Sequence, residues 1–387
     1  MSDSVSSSSL ILQQWQQVRA NKWLWSMLTW LPITVFLLIW WIFSAGLTRE
    51  LNIALVDLDH SQLSRSLSRH YDASPTLSVL DYPSEDAARS ALRSGLVYAM
   101  VIFPPGLEKN TLLSKSPTVA AYFNGQFMVV GKQINSALRQ SHGTFMAKIE
   151  VVRSLSRGNT QTSQAIGSAL PIRNQISALY NGNSSYAQFL VSAALPAFWQ
   201  VLVIVVMILA FATELRDHSF KQWLAHRPLQ KIVTKLVFFG TLLWLQGLLL
   251  CTLMFHVFAW PMRGSWGILL LGMLFCVIAT QAIALLLMMV FENTEKALSI
   301  ASALTAPSFA FMGITFPISD MSWFAQFWRS LIPITHYIEI QLSQANYGAS
   351  LLQTSSYIID LLVFSVCFVS AGWLIAIRRD KVQEVRQ

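Results

Sequence analysis

Two places in this sequence gather residue types able to do chemistry. Asp57, Asp59 and His60 stand together directly after an apolar run, and carboxylates beside an imidazole can ligate a metal ion. The same residues suit a turn and a helix N-cap in a polar loop, which is the plainer use of such a cluster. Gly125, Gly131 and Lys132 imitate a phosphate-binding loop. The spacing is one residue too long, and Gln133 stands where a Ser or Thr is required, so the pattern fails. No GxSxG, HExxH or paired-aspartate motif occurs. Cys251, Cys276 and Cys367 each lie inside an apolar run and form no CxxC, which excludes a disulfide framework and a thiolate zinc site. No catalytic, cofactor-binding or metal-binding residue is therefore expected in this chain.

The elements that carry these residues explain the scarcity. The 387 residues are 54% hydrophobic and only 12% charged, whereas a soluble domain carries about 25% charged residues. Lipid is the implied solvent, and the 14 Trp and 23 Phe suit interfacial positions. The net charge of +8 comes without a dense basic run interleaved with aromatics, so nucleic acid is not an expected partner. A helix needs about 20 apolar residues to cross a bilayer. Charge-poor intervals of that kind lie at 24–46, 191–212, 236–259, 265–291, 297–314 and 356–377, which predicts six transmembrane helices. The first apolar stretch is too long for a cleaved leader, and Phe43 sits where a small residue is wanted before Ala45.

Lys and Arg in short loops set the orientation. With both termini inside, the cytoplasmic segments 1–23, 213–235 and 378–387 hold Arg19, Lys22, Arg216, Lys221, Arg227, Lys231, Lys235, Arg378 and Arg379, and Lys296 joins them between the fourth and fifth spans. The short outer segments hold only Arg263 and Arg329. The long insertion 47–190 is then extracytoplasmic. Strand-like runs at 51–59, 76–82, 97–104 and 118–125 alternate there with helical stretches, one starting near Ser61 and one capped by Ser84 with Glu85 and Asp86 in its first turn. That alternation predicts a small α/β domain with a largely parallel sheet. A long helix follows over 128–157, and the Asn-, Gln-, Ser- and Gly-rich stretch 158–186 reads as a loop.

Two regions go beyond hydropathy. ALVDLDHSQLSRSL (54–67) with SGLVYAMVIFPPGLEK (94–109), and FMGITFPISDMSWFAQFWRSLIPITHYIEI (311–340), together resemble the ABC-2 family of exporter permeases, in the subgroup with a large extracytoplasmic domain after the first helix. The resemblance runs through nearly the whole chain. It implies a bacterial inner-membrane subunit that binds no ATP itself, paired with an ABC ATPase subunit and a second permease copy or paralogue. A periplasmic adaptor and an outer-membrane channel are further partners of such exporters. It also implies an amphipathic helix over 10–23, with Trp15, Val18, Arg19, Lys22 and Trp23, lying on the cytoplasmic surface. The segment 214–231 looks like the coupling element, with Glu214, Arg216 and Lys221 as candidate ATPase contacts; the bland alternative is ordinary positive-inside residues beside a lone acid. The segment 315–347 looks like short re-entrant helices before the last span.

Ionisable residues within spans usually mark ion routes, and their near-absence favours a hydrophobic or amphipathic cargo. His256, in the third span, could line a path or make an interhelical hydrogen bond. His336 and Glu339 could line an exit or tie the re-entrant segment to its neighbours. A membrane enzyme lacks its motif here. A receptor or scaffold with an extracytoplasmic sensing domain remains the rival, and would normally need a cytoplasmic output domain where this sequence has only a short tail.

Overall fold

The computed structural model describes residues 7–44, 49–113, 115, 117–125, 128–156, 185–217, 228–314 and 318–384. The chain divides into two compact units, one formed by Met1–Gly46 with Ala178–Gln387 and one by Leu47–Ser177.

The first unit opens with α1 (Ser7–Ala20), α2 (Lys22–Leu28) and α3 (Trp30–Phe43). The amphipathic helix expected over 10–23 therefore stops at Ala20. Asn21 breaks it, its side chain accepting from the Trp23 and Leu24 amides, so Lys22 and Trp23 belong to the next helix. Pro32 explains the second break. It has no amide hydrogen for the Leu28 carbonyl, which weakens the helix at this point and favours the break. The chain bends 49° between α2 and α3.

The second unit holds β1 (Leu51–Asp57), α4 (Gln62–Asp72), β2 (Leu77–Asp81), α5 (Glu85–Arg93), β3 (Ala99–Phe103), α6 (Leu107–Leu112), β4 (Ala120–Phe123) and α7 (Met128–Ser156). The sheet order is β2-β1-β3-β4. β1 is parallel to both neighbours, and β3 pairs antiparallel with β4. Alternate residues of β1 feed two cores. Leu51, Ile53 and Leu55 meet Leu67, Tyr71, Ile134 and Phe145 on one face. Ala54 and Val56 meet Ala88 and Ala91 of α5 on the other. The loop-like stretch 158–186 falls almost wholly outside the described residues.

The first unit resumes with α8 (Tyr186–Asp217), α9 (Pro228–Thr252) and a π-helical turn at Leu253–Val257, then α10 (Trp266–Phe291), α11 (Thr294–Thr305) and α12 (Ser308–Phe311). α13 (Trp323–Ser330), α14 (Pro333–Leu342), a second π turn at Ser343–Tyr347, α15 (Leu351–Val363) and α16 (Ser365–Glu384) complete it. Among the described residues, four helices are long and apolar enough to cross a membrane: Ala187–Thr213, Pro228–Val257, Trp266–Phe291 and Leu351–Arg378. The bent pair α2–α3 makes a fifth if counted as one span. The segment 297–314, expected to cross as well, is different. α11 has 12 residues, about 18 Å of rise against a core of roughly 30 Å. It ends before Pro307, which has no amide hydrogen to extend the ladder. α8 and α10 form the interior, with 72% of the α8 span buried against 22% of Leu351–Arg378.

Candidate functional site

Two of the three expected ATPase-contact residues lie at the end of α8. Glu214 and Arg216 fall in the last turns of α8, and their side chains lie outside what the structure describes, as does all of Lys221 in the segment 218–227. The helices reach further into the expected loop 213–235 than hydropathy implied, since α8 runs to Asp217 and α9 begins at Pro228. Lys231 and Lys235 are therefore helical.

Lys235 falls among the expected loop cations by sequence, yet in the fold it is fully buried. Its Nζ donates to the Ala210 carbonyl (2.6 Å) and to Gln17 Oε1 (3.0 Å), while Gln17 Nε2 donates to the same carbonyl (2.8 Å). The Phe211 and Phe239 rings lie 5.7 and 5.8 Å from the ammonium, which favours the charge. One lysine thus joins α1, the end of α8 and the start of α9, the two helices that flank 218–227. The sequence signal was the Gln14 and Gln17 pair on the inner side of α1, beside the buried Leu10 and Val18.

A second set of polar contacts fastens α14 to α8. Pro196 lies inside α8 and cannot donate to the Ser192 carbonyl four residues earlier. Gln341 Nε2 supplies the missing donor at 2.7 Å. In return Gln200 Oε1 accepts from the Ile334 amide at 2.6 Å, in the first turn of α14, where helix amides lack partners. Both glutamines are buried. Nearby, Arg329 and Glu339 form an ion pair at 2.8 Å. His336 Nδ1 lies 3.3 Å from Asp360 Oδ2 of α15, and its Nε2 lies 3.3 Å from the Ser330 carbonyl. His336 and Glu339 therefore tie α14 to α13 and α15. His256 behaves otherwise. It is exposed in the first π turn with its ring edge-on to Trp266 at 5.1 Å, and no hydrogen bond of its side chain occurs among the described residues. Buried Cys251 sits 3.5 Å from the Tyr337 hydroxyl, and all three cysteines are free.

In the α/β unit the Asp57–His60 cluster is used by the fold. Asp57 Oδ1 accepts from the Asp59 and His60 amides, and Oδ2 from the Ser64 hydroxyl at 2.6 Å. Asp59 accepts from the Leu107 and Glu108 amides, each at 3.0 Å, capping α6. The Ser61 hydroxyl first, and then the amides of Glu108, Gly106 and Leu107, hold the Asp59 carboxyl below its usual range. No group of three His, Cys, Asp or Glu residues able to hold a metal occurs among the described residues. Gly131 and Lys132 are helical, within α7. A Cβ at Gly131 would stand 2.9 Å from the Phe123 ring, so this glycine allows α7 to approach β4.

The arrangement offers tethered helices, a polar clamp and no assembled catalytic set among the described residues. A family model described as ABC-2 family transporter protein matches residues 22–374. A search of curated proteins found no match.

Proposed function

The chain belongs to the ABC-2 transporter family, and from that membership we propose that it is the permease subunit of an ATP-binding cassette exporter. In this reading six segments cross a bacterial inner membrane, with 297–314 among them, and both termini are cytoplasmic. The α/β unit stands outside. Two copies, or this chain and a paralogue, enclose the path, and a separate subunit binds and hydrolyses ATP. Cargo is a hydrophobic or amphipathic compound, and a periplasmic adaptor with an outer-membrane channel would extend the route.

The observation that carries the reading is the reach of the family match, from the first apolar helix through most of the last. The physical argument for a coupling segment at 218–227 is mechanical. A push from ATP-driven closure is transmitted by short segments held on rigid supports, and α8 and α9 are held together by Lys235. The test is purification of the tagged chain from native membranes in mild detergent, with co-purifying proteins identified by mass spectrometry. A Walker-motif ATPase is expected, and its recovery should fall several-fold in the Glu214→Ala/Arg216→Ala double variant. Recovery unchanged by the variant moves the contact elsewhere. If no ATPase appears where a control transporter of this class retains its own, the export reading gives way to a receptor.

A further inference from the structure

Departures from regular helix cost hydrogen bonds, and in a membrane-spanning unit they persist where protein encloses them or where they line a cavity. In the helical unit several of them meet at one cavity of about 230 Å³. Both π turns reach its wall, through Phe255 from the first and Ala345, Asn346 and Tyr347 from the second. Ser192, whose carbonyl Pro196 leaves open, lines it, and so does Gln341, which fills that opening. Gly313, at φ +85°, closes another side. The loop leaving the first π turn is hydrogen-bonded to the second, from the Arg263 amide to the Ala345 carbonyl (3.3 Å) and from the Gly264 amide to the Gln344 carbonyl (2.9 Å). A side chain at Gly264 would prevent this, because its Cβ would fall 2.4 Å from Gln344 Oε1. The cavity is thus held open by several separate features of the fold.

Its chemistry is specific. Phe189, Phe255, Trp260 and Tyr347 present rings, and Gln188, Gln341 and Asn346 present amides. None of the described lining residues is charged, so an ion entering it would lose its hydration with no counter-charge in the wall. The Gln341 amide is fixed in sense, because its nitrogen serves the Ser192 carbonyl, and its Oε1 is buried without a hydrogen-bond partner. That oxygen has no accessible surface, so the side-chain amides a bound molecule can meet are those of Gln188 and Asn346. The volume equals about eight waters at their share of the liquid, which is room for one ring with short substituents.

We propose that this cavity binds a neutral, ring-sized molecule carrying an O–H or N–H donor. The aromatic wall covers the ring, and the wall amides of Gln188 and Asn346 accept from the donor. The site concerns binding alone and needs no ATPase, so it stands or falls apart from the export reading.

The experiment uses the purified full chain in detergent and 4-fluorophenol as the probe, with fluorine NMR line broadening as the readout. Fluorobenzene has the ring without the donor, and 4-fluorobenzoate has the ring with a charge. Saturable broadening of the phenol is expected, with fluorobenzene binding more weakly and 4-fluorobenzoate failing to compete. Asn346→Leu, which removes a wall amide, should weaken phenol binding about tenfold. Ser192→Phe, which fills the cavity and leaves Asn346 in place, should abolish it. Size-exclusion profiles and thermal unfolding establish that each variant is folded, and if one is not, the other decides together with the ligand series. No saturable binding to the unsubstituted chain overturns the proposal. Binding that survives Ser192→Phe, or benzoate binding equal to phenol binding, overturns it as well.

Discussion

An ammonium group with no accessible surface has to find its acceptors within the fold. Lys235 finds them in the Ala210 carbonyl and Gln17 Oε1. Lys235→Met takes the lysine donor from Gln17 Oε1, while the Ala210 carbonyl keeps Gln17 Nε2, at a cost of about 1–2 kcal/mol. Thermal unfolding of the full chain in detergent should show that loss, while Lys231→Met, one turn away and only half-buried, stays within about 0.5 kcal/mol. Equal shifts for the two variants would mean that the three-helix junction does not depend on Lys235. The contrast with Asp57 shows what a sequence exposes. Asp57 bonds to amides two and three residues away, so its use as a turn residue can be weighed from the local pattern. Gln17 lies 218 residues from Lys235 in the chain, and no local pattern reports that meeting.

At the scale of elements, the α8–α14 contact replaces a missing backbone hydrogen bond by a side chain. This makes the two positions interdependent in a measurable way. Gln341→Leu should cost about 1–2 kcal/mol in the unsubstituted chain, because it leaves the Ser192 carbonyl without a donor. Pro196→Ala returns an amide hydrogen to α8, and in that background the same substitution should cost less than half as much. A double-mutant cycle on unfolding free energies reads the difference. Strict additivity would show that Gln341 does not stand in for the backbone. Pro196 was visible in the sequence as a proline in an apolar run, but its replacement donor was not. Element sense was partly hidden too. The apolar runs of β1, β2 and β3 are legible because strands buried in a sheet read that way, whereas the apolar pattern of β4 carries no sign of its antiparallel direction. Hydropathy marks 297–314 as apolar, and Pro307, which reads as a helix interruption, marks where its helix stops.

The whole molecule has two units with separate cores, so a perturbation confined to one core can be read against the other. In the α/β unit, the Tyr71 hydroxyl of α4 lies 2.8 Å from His142 Nδ1 of α7. Burial pushes the Tyr71 phenol well up and pushes the His142 imidazole below its usual value. Near neutrality the phenol therefore keeps its proton and donates it to a neutral imidazole. Protonation of His142 would place a charge in a half-buried site and turn Nδ1 from acceptor to donor. Because its folded pKa lies below that of the unfolded chain, roughly 6.5, the unfolded state takes up protons first as pH falls. The stability from this contact is fully present above that value and is lost as pH descends through the folded pKa. Hydrogen exchange of the full chain, corrected for the intrinsic pH dependence, should show more frequent opening of α4 and α7 at pH 5.5 than at pH 7.5. His142→Gln, which has no proton to gain, should flatten that response. Peptides from α8 and α10, whose residues pack in the other core, supply the internal reference. An acid response that persists in His142→Gln at α4 and α7 would assign the titration to another group.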